Sequence, residues 1–289
     1  MARGLLIVSS MRTSLVLALI LTAATACIGN TQRAARVPHP GVPLQSGQPM
    51  GTPGAVGLGL SNVTDVVAPE VGNPNDAVEV PGTQLRSDLR LRVGARGQLG
   101  VHYEHGFAST SQQPDATQLP VGDGDVRGYG MSGGYSFETS TPGLSIGTTF
   151  ELTVWSVPYS EFSICTNCGA GNMWTFKNHG RANPTTLGVG VAPSYKQGDL
   201  TVFGGVFARN HPTTQRKEYG DDILFPDAGD VENGPVNVLV HAGLEYALSP
   251  QVSALVLVHQ NVISDPVRYG PGVGLALTAS LGGGDQPRR

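Results

Sequence analysis

The sequence predicts an all-β fold, an antiparallel up-and-down transmembrane β-barrel of about ten strands, and three observations carry that expectation. Apolar and polar residues alternate in about ten segments between residues 56 and 281. Short turns and long polar connections follow one another in turn along the chain. No run of 18 or more apolar residues occurs, so a membrane crossing would fall to strands closed on themselves, which leave no backbone group unpaired in lipid.

The segments run as follows. Val56, Leu58 and Leu60 alternate with Gly57, Gly59 and Ser61; Leu85, Leu89, Leu91 and Val93 alternate with Arg86, Asp88, Arg90 and Arg92. Leu99, Val101 and Tyr103 oppose Gln98, His102 and Glu104, and Tyr129, Met131, Tyr135 and Phe137 oppose Gly128, Gly130, Ser132 and Ser136. The longest alternation is GLSIGTTFELTVWSV, in which Leu144, Ile146, Phe150, Leu152 and Val154 share one face and Ser145, Thr149, Glu151, Thr153 and Trp155 the other. Side chains of a strand point alternately to its two faces. Thirteen residues at about 3.3 Å, tilted by about 45°, cross roughly 30 Å, enough for the apolar band of a membrane barrel. Five further segments, near 186–196, 201–209, 236–248, 252–259 and 272–281, repeat the pattern.

The connections sort by length. Gly94–Gly97, Thr139–Gly143, Lys196–Asp199 and Ser249–Gln251 are tight turns rich in Gly, Pro, Asp and Ser. Between them lie longer polar segments, about 62–84, 108–124, 157–184 and 210–235, with a shorter one near 263–271. All tight turns therefore fall at one end of the sheet and all long loops at the other.

Residues 1–26 read as an export signal: Arg3 and Arg12 precede the apolar core Leu15–Leu21, and small residues follow up to Ala26. Met11 would serve equally as the start. Ala24-Thr25-Ala26-Cys27 resembles the lipobox of bacterial lipoproteins, which implies a lipid on Cys27; cleavage near Ala26 with an unmodified Cys27 is the alternative. From 27 to 54 the chain is rich in Pro, Gly, Gln and Ser without periodicity, which predicts a lipid-anchored flexible linker. The barrel is expected over 55–283 and a tail over 284–289. Without Arg3 and Arg12, 16 basic residues face 22 acidic ones, a charge of −6, which excludes a nucleic-acid partner.

Over residues 55 to 281 the chain resembles bacterial outer-membrane β-barrel proteins as a class. The resemblance implies the outer membrane of a Gram-negative bacterium, outer-membrane lipid as a partner, and short turns on the periplasmic side. It departs from the class at the C-terminus, where Leu281 is followed by GGGDQPRR, and in having only 6% aromatic residues.

With the apolar face outward, the lumen receives Arg86, Arg90, Arg92, Glu104, Glu151, Arg209 and Glu245, among other charges. Both signs in a narrow tube predict mutual neutralisation; a small porin-like pore for a polar or anionic solute is the alternative. Cys165 and Cys168, in the 157–184 loop, predict a disulfide in an exported protein. The acidic loop from Asp221 to Glu232 lacks EF-hand spacing and reads as solvated. No metal site, cofactor or catalytic residue is expected, and the chain reads as a non-enzymatic monomer: a conduit, or a scaffold offering its long loops to a protein partner. A barrel-borne hydrolase using rim histidines His102, His105 or His259, and a soluble β-sandwich lipoprotein, are the competing readings.

Overall fold

Ten strands form where the alternation places them and pair in chain order. The computed structural model describes residues 30–64, 66–67, 77–107, 124–165, 173–212, 214–215, 222–223, 236–263 and 268–282. The ten barrel strands are β1 (Gly54–Val63), β2 (Thr83–Val93), β3 (Gly97–Gly106), β4 (Val126–Glu138), β5 (Leu144–Cys165), β6 (Thr185–Gln197), β7 (Leu200–Asn210), β8 (Val236–Ser249), β9 (Val252–Ile263) and β10 (Gly272–Leu281). Each is antiparallel to the next, from β1–β2 to β9–β10. β10 then pairs with β1 from Gly272↔Val63 to Leu281↔Gly54, which closes the sheet. Closure removes the open edges that would leave N–H and C=O groups without partners. A two-layer sandwich is therefore excluded.

Outward positions are the apolar ones. Leu58, Met131, Val189 and Leu277 are each more than half exposed, whereas Glu151 is 1% and Thr153 0% exposed. The turns also form as expected: Gly94, Gly143 and Gly198 adopt φ of 67°, 81° and 61°, the left-handed region that glycine occupies without a Cβ clash. These turns and the Gly54–Leu281 pair define one end of the barrel, here the short-turn end. The long connections define the other.

Two compact units are distinguished. One comprises Arg33–Ser160 and His179–Arg289 and contains the barrel; the other comprises Met1–Gln32 and Glu161–Asn178. In the second, Phe162 and Phe176 meet edge to face, with ring centroids 5.8 Å apart. Residues 157–184 were expected to form a polar loop. Instead β5 runs on to Cys165 and pairs with a strand at Met173–Ala182. Tyr159, Phe162, Ile164, Trp174 and Phe176 supply the aromatic and branched residues that favour strand. Cys27, Cys168, the signal 1–26, the tail 284–289 and most of the acidic loop lie outside the described residues, and so does the expected Cys165–Cys168 disulfide.

The expected flexible linker requires correction. From Ala34 to Pro40 every residue is buried, and Val42 and Leu44 are buried as well. Ala34, Ala35 and Arg36 pair in parallel with Ala77, Val78 and Glu79. This segment lies inside the barrel and contributes to both of its apolar clusters. One cluster joins Ala35 and Val37 to Val63, Val78, Val80, Val126, Trp155, Val157 and Tyr269 at the long-connection end. The other joins Val42 and Leu44 to Phe203, Phe207, Leu239, Leu255, Leu257 and Ala276. Burial of these side chains, at about 25 cal/mol per Å² of apolar surface, offsets the chain entropy that composition alone suggested would keep the segment loose.

Candidate functional site

The lumen is where the barrel strands bring charged groups together. Arg86 on β2, Glu104 on β3, Glu151 on β5 and Arg209 on β7 all point inward, because each occupies the polar phase of its strand. Arg86 donates to Glu151 from Nη2 at 2.5 Å and from Nη1 at 3.2 Å, and to Glu104 Oε1 at 3.3 Å. Arg209 Nη2 lies 3.3 Å from Glu151 Oε2 and 3.5 Å from Glu104 Oε1. Gln84 donates to the second oxygen of Glu104. Two guanidinium groups thus neutralise two carboxylates, as the sequence anticipated, in geometry that favours charge-assisted hydrogen bonds.

Around this quartet some polar atoms are matched, whereas Gln84 Oε1, His102 Nδ1 and Arg209 Nε are buried without a hydrogen-bond partner. The Arg209 guanidinium lies 5.6 Å from the ring centroid of Trp155, whose Nε1 donates to Thr186 Oγ1 at 2.8 Å. His102 Nε2 contacts Thr153 Oγ1 at 2.9 Å. Ligand atoms of His102, Glu104 and Glu151 lie within 4.8 Å of one another, the donor set of a metal site. Arg86 and Arg209 already hold the carboxylate oxygens, so a divalent cation would have to displace two positive charges. The cluster is a lattice of ion pairs in which the two guanidinium groups compete with a cation for the carboxylate oxygens.

Towards the short-turn end the buried N-terminal segment supplies partners that strand periodicity could not reveal. Gln45 Oε1 accepts from Arg90 Nη1 at 3.0 Å and from Gln98 Nε2 at 2.9 Å. Ser46 Oγ donates to Glu245 Oε2 at 2.5 Å, and Ser253 Oγ donates to Glu245 Oε1 at 2.8 Å. Ser136 Oγ donates to the Gly47 carbonyl at 3.0 Å, while Gln48 Nε2 donates to Ser194 Oγ and to the Gly143 carbonyl, each at 3.1 Å. Partners on β2, β3, β4, β6 and β8 surround the segment, so it crosses the lumen. A cavity of about 620 Å³ remains at this end, lined by Gln45, Gln48, Arg90, Gln98, Glu245 and Thr278 among others.

Close approach explains two of the inward glycines. A Cβ on Gly147 would lie 2.5 Å from the Gly47 Cα, and a Cβ on Gly59 would strike the Leu44 side chain. Only a bare backbone leaves room for the threaded segment at these points.

Several expectations are adjusted by position. Arg92 is exposed: it keeps the inward phase but sits one residue from the end of β2, where the lumen has already opened. His102 and His259 are buried rather than open to solvent, and His259 pairs with Gly272, the first residue of β10. His105 stands next to last in β3, with Nε2 3.1 Å from Asp125 Oδ2. The sequence reading missed the segment from Arg33 to Met50 as a lumen occupant. A signal was present: on β7 and β9 the inward phase is itself apolar, with Phe203, Phe207, Leu255 and Leu257, and such residues need an apolar neighbour inside the tube.

Just beyond β7, His211 Nε2 contacts the Tyr269 hydroxyl at 2.8 Å. Burial lowers His211 to about 3 and raises Tyr269, since a low-polarity surrounding disfavours the charged form of each.

No family model and no curated protein matches this sequence. Among solved structures, the chain is similar to an outer-membrane channel from Pseudomonas putida F1, with 13% identity and a TM-score of 0.43 over 83% of this chain and 99% of that one. It is also similar to the translocator domain of the autotransporter NalP from Neisseria meningitidis (11% identity, TM-score 0.38, 80% and 90% covered). Neisserial surface protein A gives 12% identity and a TM-score of 0.32, with 80% and 98% covered. The barrel architecture of this chain rests on its own strand pairing.

Proposed function

We propose that this protein is an outer-membrane barrel of a Gram-negative bacterium that is closed at rest by its own N-terminal segment and acts as a monomeric, non-enzymatic scaffold for its long loops. The observation that carries the reading is the burial of Ala34 to Pro40, Val42 and Leu44 inside a ring of ten strands. The outward band of Val and Leu supports insertion in lipid. So do the exposed rings Tyr135, Phe137, Tyr195 and Tyr246 near the short turns and Tyr129 nearer the other end, positions suited to the two membrane interfaces. An acylated Cys27 and a Cys165–Cys168 disulfide belong to this reading, and both are tested by intact-mass measurement with and without reductant.

Planar-bilayer recording tests the closed state. The whole protein is expected to give no conductance steps, and a variant lacking residues 34–50 is expected to give them. Stable steps from the whole protein under low voltage would overturn the scaffold reading. A second reading, a gated porin-like conduit for a small polar or anionic solute, is favoured by the 620 Å³ cavity with Arg90 and Lys196 on its wall. It expects steps from the whole protein once voltage or solute withdraws the segment.

A further inference from the structure

The direction in which the segment crosses the lumen is opposite to that of a tether. Its upstream part belongs to the long-connection end: Arg33 lies over the ring of Tyr159 at 5.9 Å, Arg36 Nη1 donates to the Gly124 carbonyl at 2.5 Å, and Val37 N donates to the Glu79 carbonyl at 2.8 Å. Its downstream part belongs to the short-turn end, where Gln48 reaches the Gly143 carbonyl and Pro53 accepts from Arg92 N at 2.9 Å. The chain thus passes from the long loops, through the lumen, to the short turns before it starts β1.

We propose that the protein displays its N-terminus, and an acyl group on Cys27 with it, on the face of the membrane that carries the long loops. Cys27 precedes Arg33 by six residues, a reach of at most about 20 Å for extended chain. The apolar band of such a barrel is about 25 Å tall, and the lumen is already occupied where Gly47 meets Gly147 and Leu44 meets Gly59. The chain upstream of Arg33 therefore has no route back to the short-turn face. With the short turns on the periplasmic side, as the resemblance to outer-membrane barrels implies, and the outer-membrane location under Proposed function, on which this inference rests, the long-loop face is the cell exterior. The partner of an acylated Cys27 is then the outer leaflet of the outer membrane, and the barrel is pinned from outside by lipid and through its wall by lipid contact.

Epitope tags in intact cells test the placement. One tag goes between Gln32 and Arg33, one between Gly229 and Asp230 in a long connection, and one between Gly198 and Asp199 in a short turn. An unboiled gel first shows that each tagged chain still migrates as a folded barrel. Antibody is expected to bind the first two tags on intact cells and the third only after permeabilisation. A hidden tag before Arg33 with an accessible tag after Gly229 would overturn the threading and leave the barrel reading standing. An accessible tag after Gly198 with a hidden tag after Gly229, or no accessible tag at all, would refute the assigned orientation or location and this inference with it. Gln32→Cys combined with Cys165→Ser and Cys168→Ser, labelled by a membrane-impermeant maleimide, repeats the measurement without an insertion. It is expected to label on intact cells, and failure to label would count against the proposal in the same way.

Discussion

Replacing Glu151 by Gln removes one charge from the lumen while changing almost no volume. In the intact protein Glu151 accepts from Arg86 twice and from Arg209 once, at 2.5, 3.2 and 3.3 Å, and is 1% exposed. The quartet then changes from neutral to a net positive charge held out of water, with Glu104 at 3.5 Å the one carboxylate still beside Arg209, which keeps its hydrogen bond to Thr153 Oγ1 at 3.3 Å. Breaking one partner of a buried ion pair costs about 3 to 5 kcal/mol, because the remaining charge keeps its desolvation penalty. Glu151→Gln is therefore expected to lower stability by that amount in urea unfolding in detergent micelles, followed by loss of the folded band on unboiled gels. Arg209→Gln added to Glu151→Gln restores neutrality and leaves the Arg86–Glu104 pair. The double variant is expected to lose less than the sum of the singles, by about 1.5 kcal/mol or more, within the range of coupled contacting residues. A loss under about 1 kcal/mol for Glu151→Gln, or simple additivity in the double variant, would refute the idea that these four side chains form one desolvated lattice.

Three other perturbations separate wall, segment and loop end. Gly147→Val places side-chain atoms against the backbone of Gly47 and is expected to expel the segment with the barrel intact; protease cleavage between Arg33 and Met50, absent in the parent, reads this out. Val191→Arg, on the outward face midway along β6, is expected to cost about 2 to 4 kcal/mol in lipid bilayers, and a cost near zero would argue that this face does not meet hydrocarbon. His211 has a folded pKa lowered to about 3, so below the unfolded value near 6.5 the unfolded chain binds a proton that the folded chain refuses. Its stabilising contribution is full above pH 6.5 and falls by at most about 1.4 kcal/mol per pH unit as pH drops towards 3. Urea midpoints measured at pH 7 and 5 are expected to differ by less in His211→Gln than in the parent.

The up-and-down order of about ten barrel strands, the turn positions and the outward face follow from local chemistry and were determined by the sequence alone, whereas the exact strand number and the strand at Met173–Ala182 were not. Alternation along Leu144–Trp155 commits each residue to a face, and Gly94, Gly143 and Gly198 fix the tight turns, since only glycine enters the left-handed region without strain. The inward charges Arg86, Glu104, Glu151 and Arg209 were legible for the same reason, although which of them would touch was not. That choice depends on the stagger of ten strands around a closed ring, a property of the whole sheet. The path of residues 33–50 was decided only by tertiary structure. Pro38, Pro40, Pro43 and Pro49 suppress periodicity, so the segment carries no strand or helix signal. It acquires order from Phe203, Phe207, Leu239, Leu255 and Leu257, residues some 150 or more positions away that become its neighbours when the sheet closes.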